Sequence, residues 1–127
     1  KLQNNNFYYL SLIKESNDDW SIHGLWPQFD NDSYPTFCKN VEFDIEKLYP
    51  IMDALNKNWC SNKGSNNDFW KHEWEKHGSC MYNNCDEYFY FNKTLELFEY
   101  VKENNLIEKF SQNDKCLIPF DLNFKIM

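Results

Sequence analysis

The sequence predicts one domain of mixed α and β structure, with strands near its two ends and helices between them. Two observations carry this. Apolar runs without a helical period lie at 7–13, 20–25 and 117–127. Between them, apolar residues recur at helical spacing over 44–58 and 86–110. A length of 127 residues suits a single domain, 1–127, with a modest core.

The elements follow in chain order. An Asn-rich start, 3–6, is expected to fray. The run 7–13, FYYLSLI, reads as a buried strand, and 14–19 as a polar turn. A second strand is predicted over 20–25, broken by Gly24-Leu25-Trp26-Pro27, so that His23 sits near its end. Residues 28–38 form a loop rich in Asp, Asn, Ser and Pro, carrying Tyr34 and Phe37. Ile45, Leu48, Ile51, Met52 and Leu55 predict a helix that Pro50 either kinks or begins. Residues 60–68 read as a flexible connector and 81–84 as a loop. The stretch 86–110 is helical with a break at Asn104-Asn105. The last strand, 117–127, holds Pro119, which places it at an edge or makes Pro119 its start.

The densest chemistry lies at 69–80, FWKHEWEKHGSC, which contains two of the three histidines. Asn67 or Asp68 can cap a helix here and Gly78 can end it. Residues advance by about 100° each. One face then carries His72, Lys76, Glu73 and His77, while Trp70 and Trp74 turn inward as an anchor. Two imidazoles, a carboxyl and an ammonium make an acid/base and anion-stabilising surface. A zinc helix needs histidines four apart, with both rings on one metal. HEWEKH places them five apart, about 140° around the helix, with a lysine between. No metal is therefore expected.

Composition narrows the class. Aromatics make up 19% of the chain, more than such a core needs, which leaves rings to line a groove. A net charge of -7 argues against loose, charge-driven binding of nucleic acid at neutral pH. An acidic compartment would protonate histidines and some carboxylates and so weaken that repulsion. Five cysteines without a CxxC pair point to an oxidising compartment. Sequons stand at Asn31 and Asn92. No apolar run is long enough to span a membrane, and without a signal peptide the chain reads as a mature or trimmed product.

Ile22-His23-Gly24-Leu25-Trp26-Pro27, followed by the 69–80 stretch, resembles the ribonuclease T2 family of secreted and lysosomal acid ribonucleases. Tyr34, Pro35 and Cys38 fit as well, and the resemblance covers roughly 7–110. It implies an α+β fold, a small antiparallel sheet flanked by helices. It also implies an endoribonuclease that cleaves single-stranded RNA, but not DNA, without metal or other cofactor. The products are a 2′,3′-cyclic phosphate and then a 3′-phosphate. The resemblance suggests His77 as general base, His23 as general acid, His72 on the phosphate, Lys76 against developing charge, and Glu73 as a donor or an orienting group. The acid and base roles can be exchanged without conflict with the sequence. Trp26, Tyr34 and Phe69 match base-binding positions, and Gln28 departs from the acidic or Asn side chain frequent there. Cys38 and Cys80 match the pair that ties the two motifs together. Of Cys60, Cys85 and Cys116, a bond between Cys85 and Cys116 is expected, with Cys60 left over.

The chain is shorter than is usual in this family, so it is either a minimal member or lacks segments. A secreted or lysosomal monomer is expected. The alternative is a non-catalytic relative that binds RNA or a protein partner.

Overall fold

The computed structural model describes residues 5–83 and 85–127, so Gln3, Asn4 and Asn84 of the expected frayed start and loop lie outside the described residues. Strands β1 (Phe7–Lys14) and β2 (Trp20–Gln28) open the chain. A 3-10 helix (Ile45–Ile51) leads into α1 (Met52–Asn58). Helix α2 (Asn66–Lys76) is followed by a 3-10 turn (Gly78–Cys80). Helices α3 (Glu87–Glu103) and α4 (Ile107–Phe110) precede the short β3 (Ser111–Gln112) and then β4 (Lys115–Phe120). The four strands form one antiparallel sheet in the order β2-β1-β4-β3. This is an α+β arrangement.

The two faces of the sheet follow from strand parity. Tyr8, Leu10 and Leu12 of β1, with Cys116, Ile118 and Phe120 of β4, are buried on one face. They join Tyr90, Phe91, Phe98 and Val101 of α3 in the core. Tyr9 and Leu117 have the opposite parity and stand on the other face, which is part of the site described below.

Several expected boundaries move. Strand β2 runs through Pro27 to Gln28 instead of ending at Leu25. Pro27 is tolerated because β2 is an edge strand and loses no ladder partner on its open side. The last strand begins at Lys115 and ends at Phe120, not at Met127. Beyond it, Asp121 and Lys125 close a turn with Phe124 at φ 62, and Met127 donates back to the Pro119 carbonyl at 3.1 Å. Pro119 pairs with Tyr9 on β1 beyond the reach of the two-residue β3, so its missing N–H falls where β4 has no second partner strand. The 3-10 helix ends as Pro50 gives way to α1, and α3 stops before Asn105 at φ 56.

Helix α2 starts earlier than expected. Ser65, not Asn67 or Asp68, is its cap, accepting from the Asp68 N–H at 3.1 Å. The preceding connector is tied down as Asn66 Oδ1 accepts from the Ser61 N–H at 2.7 Å. The helix ends at Lys76 with His77 as its C-cap, one residue before Gly78.

Cys38 and Cys80 form a disulfide. The expected bond between Cys85 and Cys116 does not form, and both are free thiols, as is Cys60. Cys116 sits opposite Leu12, and its thiol faces the Ile107 carbonyl at 3.5 Å. Cys85 lies by Tyr8, which pairs with Phe120 four residues further along β4. At roughly 3.3 Å per strand residue the two sulfurs lie near opposite ends of the strand.

Candidate active site

The site lies where α2 meets the edge strand β2. Tryptophans fix α2 there. Trp74 Nε1 donates to the Glu42 carbonyl at 2.9 Å and Trp70 Nε1 to the Trp59 carbonyl at 2.6 Å. Trp59 Nε1 in turn donates to the His23 carbonyl at 3.1 Å. Two indoles, Trp70 and Trp59, thus run from α2 to the backbone of the residue it must face, while Trp74 ties the helix to the Glu42 segment.

His23 occupies a bulge. Ser11 pairs with Gly24 and Leu12 with Ile22, which leaves His23 as the extra residue of β2. A bulge re-aims a side chain, and here it sets the imidazole beside α2. Gly24 makes the approach possible. A Cβ there would strike Glu73 Oε1 and Trp26 Nε1, so the carboxyl rests directly against the strand backbone.

Glu73 is the centre of the arrangement. It is 2% exposed, accepts from Trp26 Nε1 at 3.0 Å, and holds its other oxygen 3.9 Å from His23 Nε2. Trp26 lies between two imidazoles. It stacks on His77 with centroids 5.1 Å apart and meets His23 edge-on at 5.1 Å. Its indole N–H is therefore taken by Glu73, and one of its faces by His77, which leaves only part of the ring open to a base.

Every residue that the sequence nominates for chemistry or base binding lines one cleft of about 400 Å³. Their burial differs from the simple helical face. His72 is exposed and Lys76 half-buried, but Glu73 and His77 lie beneath them. Gln28 is buried, its carbonyl accepting from the Tyr82 hydroxyl at 2.7 Å, and Tyr34 is 55% exposed at the rim. Phe69 meets His23 edge-on at 5.8 Å.

Sequence reasoning missed Tyr9 and Leu117, which complete the lining. In the sequence both are simply members of apolar strand runs. Period-two parity against Tyr8 and Ile118 was the signal that separates them from the core. For Phe37 the sequence leaves two readings open, ordinary loop packing and a base-stacking ring with Trp26 and Tyr34. Phe37 sits at φ 49, donates its N–H to the Lys76 carbonyl at 2.9 Å, and meets His72 edge-on at 6.2 Å.

Burial sets the protonation states. It pushes Glu73 up to about 7, outweighing the Trp26 hydrogen bond and the charge of Lys76. It pushes His77 down to about 3, with repulsion from Lys76, His23 and His72 adding to it. His77 Nδ1 is buried without a hydrogen-bond partner, which also disfavours charge on that ring. His23 is lowered by burial first, then by Lys115, His72 and Lys76. Over the weakly acidic range the free site thus holds a neutral His77 beside a protonated Glu73. Among the described residues, no group of three or more His, Cys, Asp or Glu could hold a metal ion.

Residues 3–115 match the sequence model of the Ribonuclease T2 family. Ribonuclease DdI of Dictyostelium discoideum is 37% identical over 89 residues, covering 68% of this chain and 40% of that protein. Ribonuclease 1 of Arabidopsis thaliana is 37% identical over 83 residues, covering 62% of this chain and 36% of that protein. The chain thus spans well under half the length of these curated relatives. Among solved structures, an RNase-related protein from Calystegia sepium superposes with a TM-score of 0.78 at 18% identity, covering 99% of this chain and 91% of that one. RNase NT in complex with 5′-AMP superposes with a TM-score of 0.71 at 20% identity, covering 98% and 89%. These two show the shared fold. With the family match spanning 3–115, this chain belongs to the Ribonuclease T2 family.

Proposed function

We propose that this chain is a metal-independent endoribonuclease of single-stranded RNA. The observation that carries the reading is the placing of His23 and His77 on one indole, with Glu73 and Lys76 in the same cleft. Family membership adds to it, as does the naming of the relatives as ribonucleases.

In this reading His77 takes the proton from the 2′-hydroxyl as its oxygen attacks phosphorus. The bond to the 5′-oxygen breaks, and His23 gives that oxygen a proton. Water then opens the 2′,3′-cyclic phosphate to a 3′-phosphate by the reverse transfers. A histidine lowered by burial is ready as a base at acid pH. His23 must be charged, and the phosphate of bound RNA favours its proton over the repulsion it meets in the free site. His72 holds the phosphate at the open side. Lys76 offsets the charge that builds on its oxygens, and protonated Glu73 donates a hydrogen bond. Bases rest against Tyr34, Phe69, Gln28 and the open part of Trp26. DNA lacks the attacking hydroxyl and is not a substrate.

The disulfide, the family and a relative named as an extracellular ribonuclease support a secreted or lysosomal setting. No helix is long and apolar enough to cross a membrane among the described residues. The chain is read as one domain acting as a monomer.

The test is digestion of a short single-stranded RNA in excess EDTA between about pH 4 and 8, a range bracketing the histidine pKa. A 2′,3′-cyclic phosphate on the 5′ fragment, most abundant at acidic pH and lost in His77→Ala, is expected. Full cleavage by His77→Ala would overturn the mechanism. Absence of cleavage at every pH would favour a binding role instead.

A further inference from the structure

The cleft does not end at the histidines. It continues over the face of the sheet that α3 leaves uncovered, into a groove of about 860 Å³. Tyr9, His23, Trp26 and Leu117 border both spaces, so the two are continuous.

Strand register builds this groove. Ser11 of β1 pairs with Gly24 beside the His23 bulge on one side and with Leu117 on the other. The small serine leaves a low floor between His23 and Leu117. Tyr9 flanks it, cross-strand from Trp26 and Pro119. Ile13 flanks the other side, opposite Lys115. Two strand spacings separate β2 from β4, so the far wall lies about 10 Å from the catalytic strand. Leu117 is 41% exposed, one residue past the two positions of β4 that β3 covers.

Lys115 supplies the groove with a cation. It follows the tight β3–β4 turn at Asn113, φ 57, which fixes where the strand begins. The lysine ion pairs of the described residues engage Lys71, Lys93 and Lys102, not Lys115. Among the described residues, Asp114 is the only carboxylate bordering the groove. The ammonium is also close enough to His23 to be the foremost neighbouring charge acting on it.

We propose that this groove is a subsite for a third nucleotide of the RNA strand, its phosphate held by Lys115 and its base packed on Tyr9 and Leu117. It rests on the ribonuclease reading for the identity of the strand. A flat, half-apolar floor beside one cation fits a nucleotide, because any base can stack while the phosphate takes the charge. The occupant is favoured by charge as well. On a chain of net charge -7, each added phosphate is repelled unless a local cation receives it.

The experiment measures affinity for 2′-fluoro dinucleotides and tetranucleotides, which lack the attacking hydroxyl, by quenching of tryptophan fluorescence. The tetranucleotide is expected to bind about tenfold more tightly, as one further stacked base provides. The gain disappears in Lys115→Met and shrinks in Leu117→Ser. The salt slope of tetranucleotide binding falls by about 0.7 in Lys115→Met, the loss of one single-strand phosphate contact. Equal affinity for the two lengths, or a gain that survives Lys115→Met, would overturn the subsite. Cleavage of the all-ribose oligonucleotides is read separately. A Lys115-dependent gain without cleavage keeps the groove and removes the catalytic reading; cleavage without the gain does the reverse.

Discussion

The indole N–H of Trp26 donates to Glu73 Oε1 across 3.0 Å, linking β2 to α2 beneath the cleft. That bond favours the ionised carboxylate, yet burial dominates and lifts Glu73 to about 7. The carboxyl is thus neutral over the weakly acidic range.

This makes Glu73 a stability liability at high pH. Between the usual glutamate range and about 7, the folded chain holds a proton that the unfolded chain has released. Stability from this group is full at low pH and falls as pH rises through that window. Glu73→Gln is expected to abolish about 3 kcal/mol of that loss. Urea unfolding at pH 4.5 and pH 8, compared between wild type and variant, measures it. Parallel pH dependence in the two proteins would show that Glu73 is not raised.

Gly24→Ala tests the contact between helix and strand. The new methyl meets Glu73 Oε1 and Trp26 Nε1, so one of them must move. The expected cost is about 1–3 kcal/mol in stability. A displacement of this size at a reacting centre lowers kcat by about 100-fold. Thermal melts and RNA cleavage rates check the two effects, and unchanged kcat would mean that the Glu73–Trp26 pair does not organise the site.

The disulfide joins residues 42 apart and ties the Phe37 loop to the 3-10 turn that follows α2. Replacing Cys38 and Cys80 together by Ala is expected to cost about 4 kcal/mol through freed unfolded-state entropy. Urea unfolding of this double variant beside the wild type measures the loss; a difference below about 1 kcal/mol would contradict the entropic account.

Phe37 is a bulky residue in the left-handed region at φ 49, and it is 57% exposed. Phe37→Gly relieves the backbone and is expected to raise stability by about 1 kcal/mol. It also removes the ring beside His72, so inorganic phosphate should inhibit the variant less strongly than wild type. Phe37→Tyr, which keeps the ring and the strain, restores inhibition but not stability. A destabilised glycine variant would show that the ring's packing outweighs the strain.

Much of the site was legible because its residues lie in two short motifs. HEWEKH along one helix and its C-cap gives Glu73, Lys76 and two imidazoles whatever the rest of the fold does, since helical spacing is local. The apolar runs likewise foretold β1, the helical stretch that became α3, and a strand late in the chain. The second strand outruns its expected end at Leu25 because Gly24 and Pro27 look like breakers in isolation. In the fold, Gly24 admits the Glu73 carboxyl, and Pro27 sits on an open edge.

The residue types, their order and the helical grouping of His72, Glu73, Lys76 and His77 were determined by the sequence alone. Tertiary structure decided the rest. The bulge at His23 depends on its register against β1, the burial of Glu73 and His77 on how closely α2 approaches β2, and the groove at Lys115 on which strand lies beside β1. The separation of Cys85 from Cys116 is of the same kind, set by the two ends of β4. Register, burial and cross-strand neighbours join residues far apart in the chain, so no local spacing encodes them.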